Sequence, residues 1–83
     1  MGRRRGNKRI RIVVEEIYYT DTSGKYTITR SDLVFPYNTK RDIGKVLRII
    51  KIFKSASRRH KKFGGMVMEI TRFKVDENGN KMD

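Results

Sequence analysis

Residues 39–62 read TKRDIGKVLRIIKIFKSASRRHKK, and their spacing decides the fold. Apolar residues recur at Ile43, Val46, Leu47, Ile49, Ile50, Ile52, Phe53 and Ala56. Steps of three and four place them on one side of an α-helix, whereas a strand would alternate. Thr39-x-x-Asp42 has the form of a capping box, in which a hydroxyl and a carboxylate satisfy backbone N–H groups that the first turn leaves free. Asn38 is an alternative N-cap. Gly64-Gly65 predicts the stop of the helix and the reversal of the chain.

At about 100° per residue the apolar set fills an arc of roughly 220°. An ordinary surface helix needs little more than a 100° stripe. The surplus, centred on Ile49, Ile52 and Ala56, is expected to meet a second subunit, because isologous pairing is the commonest way to bury such a patch. Another macromolecule, or loops and aromatics of the second strand, are the other candidates to cover it.

Outward from the helix the sequence reads as strands. Residues 66–75 (MVMEITRFKV) follow the glycines as a third strand, and Asn78-Gly79 marks a turn with a short tail expected to fray. Residues 9–20 (RIRIVVEEIYYT) are rich in β-branched and aromatic types that suit a pleated surface. Ile10, Ile12 and Val14 alternate, then Ile17 and Tyr19 continue on the opposite parity. A bulge near Glu15-Glu16 would return all five to one face. Asp21-Thr22-Ser23-Gly24 is a hairpin turn with Gly24 where positive φ is expected. Residues 25–35 form a second strand, stopped by Pro36. The expected fold is therefore α+β, a single β-β-α-β domain over residues 9–76. Its three-stranded antiparallel sheet, in order 2-1-3, packs on one helix. Residues 1–8 are read as a disordered basic arm and 77–83 as a flexible tail.

The composition narrows the function. In 83 residues there are 21 Lys or Arg and 9 Asp or Glu, a formal charge of +12. A compact chain with that surplus repels itself, so the charge calls for an acidic partner. There is no Cys and one His, so no disulfide, thiolate or multi-His metal site is expected, and no cofactor is called for. No apolar run approaches the roughly 18 residues of a membrane span, and the N-terminus lacks the pattern of a secretory signal. The expectation is a soluble, cytoplasmic protein.

The positive charge is concentrated. Arg3, Arg4, Arg5, Lys8, Arg9 and Arg11 stand in residues 3–11 with no acid among them. Residues 40–62 hold ten cations and one acid, and residues 63–83 hold three cations and four acids. On the helix Lys40, Arg41, Arg48, Lys51, Arg58 and Arg59 lie opposite the apolar set, and His60, Lys61 and Lys62 close it. A solvated helix mixes both signs in i,i+4 pairs, and this one does not. A guanidinium fork fits phosphate oxygens, and cations neutralising phosphates release counterions. The two clusters together make the candidate nucleic-acid surface.

The remaining chemistry is thin. Tyr18, Tyr26, Tyr37, Phe35 and Phe73 are candidates for base stacking or for core packing, and Tyr18 is expected to face solvent. Neither an RNP-type aromatic pattern nor a GXXG loop occurs. His60 among cations could act as a general base, but no second His and only scattered carboxylates accompany it. Glu15, Glu16 and Glu69 read as cross-strand partners of Arg. A wide apolar arc with a basic face also describes a membrane-surface helix, but here the strands need that helix for their core.

The arginine arm 3–5, the basic helix 40–62 and the β-β-α-β order together resemble small basic accessory proteins of tailed phages, among them the T-even-phage inhibitors of the ToxN ribonuclease toxin. The resemblance implies an RNA-associated, antitoxin-like protein that neutralises an RNA-processing host enzyme, acting in the host cytoplasm. With the charge pattern it leads to one expectation: a non-enzymatic, homodimeric RNA-binding protein. The alternatives are a DNA-binding or nucleoid-associated protein, or a module for an acidic protein partner.

Overall fold

The computed structural model describes residues 7–20 and 22–82. Strands β1 (Lys8–Tyr19) and β2 (Tyr26–Pro36) precede helix α1 (Lys40–Arg59), and β3 (Phe63–Val75) and β4 (Lys81–Met82) follow it. All neighbours are antiparallel, in the order β2-β1-β3-β4.

The sheet thus has four strands where the sequence suggested three. The difference lies in residues 76–80. The Asp76 carboxylate accepts from the N–H groups of Asn78 and Asn80, both at 2.9 Å, and Gly79 sits at φ 85°. The Asp76 and Asn80 backbones are also bonded at 2.8 Å. The tail therefore turns back instead of fraying, and Lys81 and Met82 pair with Val75 and Lys74. The Lys81 ammonium lies 5.9 Å from the centre of the Phe73 ring.

β1 is central because its even residues Ile10, Ile12 and Val14 form an apolar row toward the helix. Ile10, Ile12 and Val14 face α1 and are buried with Val46, and Phe35, Tyr37, Ile50, Phe53, Met66 and Met68 pack around them. Among the described residues only Val75 adds another buried apolar side chain, so the core is one short row. No bulge interrupts β1 at Glu15-Glu16. Its register with β2 runs unbroken from Arg9↔Pro36 to Tyr19↔Tyr26. The irregularity lies on β3, where Ile17 pairs with Gly65 and Tyr18 with Phe63, leaving Gly64 extra. A Cβ at Gly64 would stand 2.5 Å from the Tyr19 ring, so glycine lets the two strands close there. Unbroken alternation leaves Ile17 and Tyr19 on the face away from the helix and turns Glu16 and Tyr18 toward it. The expected faces of the two tyrosines are thereby exchanged.

The helix starts where its cap predicts. Thr39 Oγ1 accepts from the Asp42 N–H at 3.1 Å, and Asp42 accepts from the N–H groups of Thr39 and Asn38. It ends earlier than the glycines suggested, at Arg59 with His60 as C-cap, and Gly64 and Gly65 belong to β3. Asn38 also grips β1: its Oδ1 accepts from the Lys8 N–H at 2.8 Å and its amide donates to the Lys8 carbonyl. Lys8 and Asn7 are both tied down, the latter by a bond from Val75 N–H. Arg3, Arg4 and Arg5 lie outside the described residues. No described helix is long and apolar enough to cross a membrane.

Two carboxylates hold pKa values below the usual range: Asp42 through the backbone N–H bonds of its cap, and Asp32 through its hydrogen bonds from Arg11. Their contribution is present above the ordinary carboxylate pKa of about 4 and is lost as pH falls through the depressed values. The melting temperature is expected to hold between neutral pH and about 5 and to drop below about 4. Asp42→Asn should flatten that drop, and Thr39→Ala should cost about 1 kcal/mol in a denaturant titration.

Candidate nucleic-acid interface

Helix α1 carries eight cations: Lys40, Arg41, Lys45, Arg48, Lys51, Lys54, Arg58 and Arg59. All eight side chains are exposed. With Val46 pointing at the sheet, rotation of about 100° per residue spreads them over an arc of roughly 180° on the solvent side. The helix's one acid, Asp42, is turned into the cap. Among the described residues none of the eight joins an ion pair; the pairs there are Arg11–Asp32 and Arg30–Asp32. Arginines and lysines that found carboxylates elsewhere in the chain would have lost much of their field; these keep it.

The cationic arc borders a groove. Lys54 and Arg58 overhang Phe63, Met66 and Met68 of β3, enclosing about 310 Å³. A second hollow runs along the same flank past Leu47, Ile50, Lys51 and Ser55. The groove thus joins a charged lip to an apolar and aromatic floor. Lys54 and Lys45 escaped the sequence reading because both stand near the apolar boundary of the wheel. Their exposure follows from how little of the helix one narrow sheet can cover.

The other expected binding residues divide. Lys61 and Lys62 extend the cationic arc into the turn after α1, where Lys62 Nζ donates to the Thr20 carbonyl at 3.4 Å. Lys8 lies at the opposite end of the sheet. Arg9 and Arg11 occupy the face of the sheet that α1 does not cover. Arg11 is engaged there: its Nε donates to Asp32 at 2.8 Å, and its Nη2 grips the other carboxylate oxygen. That pairing raises the Arg11 pKa, and Asp32 takes up a charge that phosphate would otherwise meet. Of the expected apolar patch, Ile49 is half-buried while Ile52 and Ala56 are exposed. Leu47 is exposed on the other flank, 59% of its surface free. The apolar excess therefore flanks the cationic arc on both sides instead of lying behind it.

His60 is built into the turn. Its Nδ1 accepts from the Lys62 N–H at 3.2 Å, its backbone N–H donates to Ser57, and its ring meets Tyr18 edge-on at 4.8 Å. Beside it the Glu16 carboxylate accepts from the Tyr18 hydroxyl at 2.8 Å and from the Ser57 hydroxyl. The bond to Glu16 raises the Tyr18 pKa. A Ser hydroxyl bound straight to a carboxylate, with the imidazole engaged elsewhere, is a clasp between α1 and β1. The Ser57 hydroxyl is bonded to Glu16 and His60 Nδ1 to the Lys62 N–H, so no serine–histidine pair forms here. Among the described residues no group of His, Asp and Glu is arranged to hold a metal. Comparison of the chain with protein-family models, curated proteins and solved structures finds no match.

Ser57 is buried, so its loss leaves Glu16 short of a donor at the helix–sheet boundary. Ser57→Ala is expected to cost about 1–3 kcal/mol and to lower the melting temperature by roughly 5–15 °C in a domain this small. Adding Glu16→Met removes the orphaned carboxylate, and differential scanning fluorimetry should show most of the loss recovered.

Proposed function

We propose that the chain is a non-enzymatic RNA-binding protein in which α1 lies along phosphates and the α1–β3 groove receives an unpaired base. The observation that carries this reading is the exposed arc of helix cations, without ion-pair partners among the described residues, set against an apolar floor. Duplex DNA presents phosphates but keeps its bases stacked, so it has no use for that floor. Single-stranded RNA offers both, and a base stacked on an aromatic side chain such as Phe63 is worth about 1–3 kcal/mol. As an accessory inhibitor of the kind its layout resembles, the protein meets an RNA-processing enzyme together with that enzyme's RNA. Loss of RNA binding and loss of inhibition are then expected together.

Fluorescence anisotropy with labelled single-stranded RNA, the matching DNA and both duplexes tests the reading. If about five phosphates are neutralised, affinity for single-stranded RNA falls roughly 100-fold between 50 and 200 mM salt. Lys54→Glu with Arg58→Glu should weaken binding at least tenfold, Phe63→Ala should weaken it without changing the salt slope, and His60→Ala should leave it within twofold. Tighter binding to duplex DNA, or affinity indifferent to salt, would overturn the proposal in favour of a DNA-binding protein or a module for a protein partner.

A further inference from the structure

Strand β2 is an edge along its whole length of 11 residues. Its hydrogen-bonding direction can be read from its two ends. Tyr37 N–H donates to the Lys8 carbonyl, and Thr20 N–H to the Lys25 carbonyl. Odd-numbered residues of β2 therefore bond to β1, and the even-numbered ones turn their N–H and C=O groups outward, where no further strand lies among the described residues. Tyr26, Ile28, Arg30, Asp32 and Val34 make that outward row. Their side chains also lie on the sheet face that α1 leaves open, with Ile28 57% and Val34 52% exposed. A long free edge with exposed apolar side chains is a template for another strand.

The row is complementary to itself. An antiparallel pairing centred on Ser31, the midpoint of the strand, sets Arg30 opposite Asp32 of a second copy, Ile28 opposite Val34 and Tyr26 opposite Pro36. Moving the centre by one residue either way sets Arg30 against Arg30 or Asp32 against Asp32. Only the central register therefore uses the full strand and opposes unlike charges. It forms about ten backbone hydrogen bonds. Pro36, whose outward side lacks an N–H, ends the ladder on each side. The other edge of the sheet is less open: β4 occupies it at Lys74 and Val75, and the extra Gly64 distorts it.

The helix supplies a second contact at the same place. Lys54 and Arg58 lean over β3, so the opposite flank, with Ile49, Ile52 and Ala56, overhangs β2. Along the axis, α1 is anchored at Asn38 to Lys8 and at Ser57 to Glu16. The 57 − 38 steps of helix rise about 28 Å and the 16 − 8 steps of strand about 27 Å, so the two run level. Val14, the partner of Ser31, then stands beside position 52. A two-fold axis through Ser31 brings Ile52 toward Ile52 of the second copy, and Ile49 toward its Ala56. Three strand spacings set the two helix axes about 14 Å apart, wider than the roughly 8–10 Å of packed helices, so Ile52 and its counterpart line the seam above the paired strands without close helix packing.

We propose that the protein is an isologous homodimer in which β2 pairs with β2 of a second copy about Ser31, making one eight-stranded sheet with both helices on the same face. The interface buries on the order of 1,200 Å² in total, at the lower end for a stable complex, so dissociation in the micromolar range is expected. The dimer does not depend on the RNA reading. It sets the two cationic arcs side by side.

The test is sedimentation equilibrium of nuclease-treated, nucleic-acid-free protein at 1–100 μM, with circular dichroism to confirm folding. Wild type should reach twice the 9.8 kDa chain mass. Arg30→Asp sets like charges opposite each other and should raise the dissociation constant at least tenfold. Asp32→Arg does the same from the other side. An equimolar mixture of the two variants restores both unlike pairs and should recover a dimer. Asp32→Arg also forfeits the Arg11 pair, so Ile52→Lys serves as a second variant that leaves the strand untouched and should also weaken the dimer. A folded wild type that stays monomeric at 100 μM overturns the proposal. So does a dimer indifferent to Arg30→Asp, or a variant mixture that fails to reassociate while Arg30→Asp alone is folded.

Discussion

Everything in this chain hangs on one row of contacts: Ile10, Ile12 and Val14 of β1 against Val46 of α1. A single helix has to cover a sheet four strands wide. It can do so only along the sheet's centre line, so the most apolar strand lies there and the more polar β2 and β3 lie outside it. Among the described residues the opposite sheet face has no second layer, and both flanks of the helix are left partly bare. A small domain buries little of its surface in any case, and a two-layer arrangement with one helix buries less. The exposed apolar side chains on both faces are consequences of that shortage of covering material.

The same shortage shapes the electrostatics. Because one side of α1 suffices for the core, the rest of its circumference carries charge, and nearly all of it has one sign. Acids occur in the chain, but the fold spends them elsewhere. Asp42 closes the cap, Glu16 clasps Ser57 and Tyr18, and Asp32 neutralises Arg11 on the far side of the sheet. What reaches solvent along the helix is a cationic arc beside the apolar groove of β3. The ligand proposed above, phosphate with an attached base, matches both. The two-fold pairing through β2, if two copies meet there, covers the remaining bare flank and leaves the groove on the β3 side open.

The correspondence between sequence and structure is uneven along the chain for identifiable reasons. The helix start was legible because a capping box is local: Thr39 and Asp42 satisfy each other's N–H groups within one turn. The turn at Gly24, with φ 90°, and the stop at Pro36 were legible for the same reason. The helix end was not. Gly64-Gly65 looked like a stop signal, but β3 needs Phe63 beside Tyr18 and a residue without a side chain beneath Tyr19, so the sheet claims the glycines. The last strand is not legible in the sequence because it is only two residues long and has no apolar pattern. It exists because Asp76 and Gly79 close the turn and because β3 offers an edge. The supposed bulge at Glu15-Glu16 assumed that every apolar residue of β1 must face the core. Glu16 instead finds Ser57, a partner 41 positions away that no local pattern announces.

The sequence by itself determined the amphipathic helix, its cap, the hairpin, the order of the first strands and the concentration of positive charge, since periodicity, capping and composition act over neighbouring residues. Tertiary structure decided which face each β1 residue takes, which acids are consumed by which cations, and where a groove opens beside the charged arc. Those depend on strands and helix meeting across tens of residues, where register and packing, rather than local preference, select the partner.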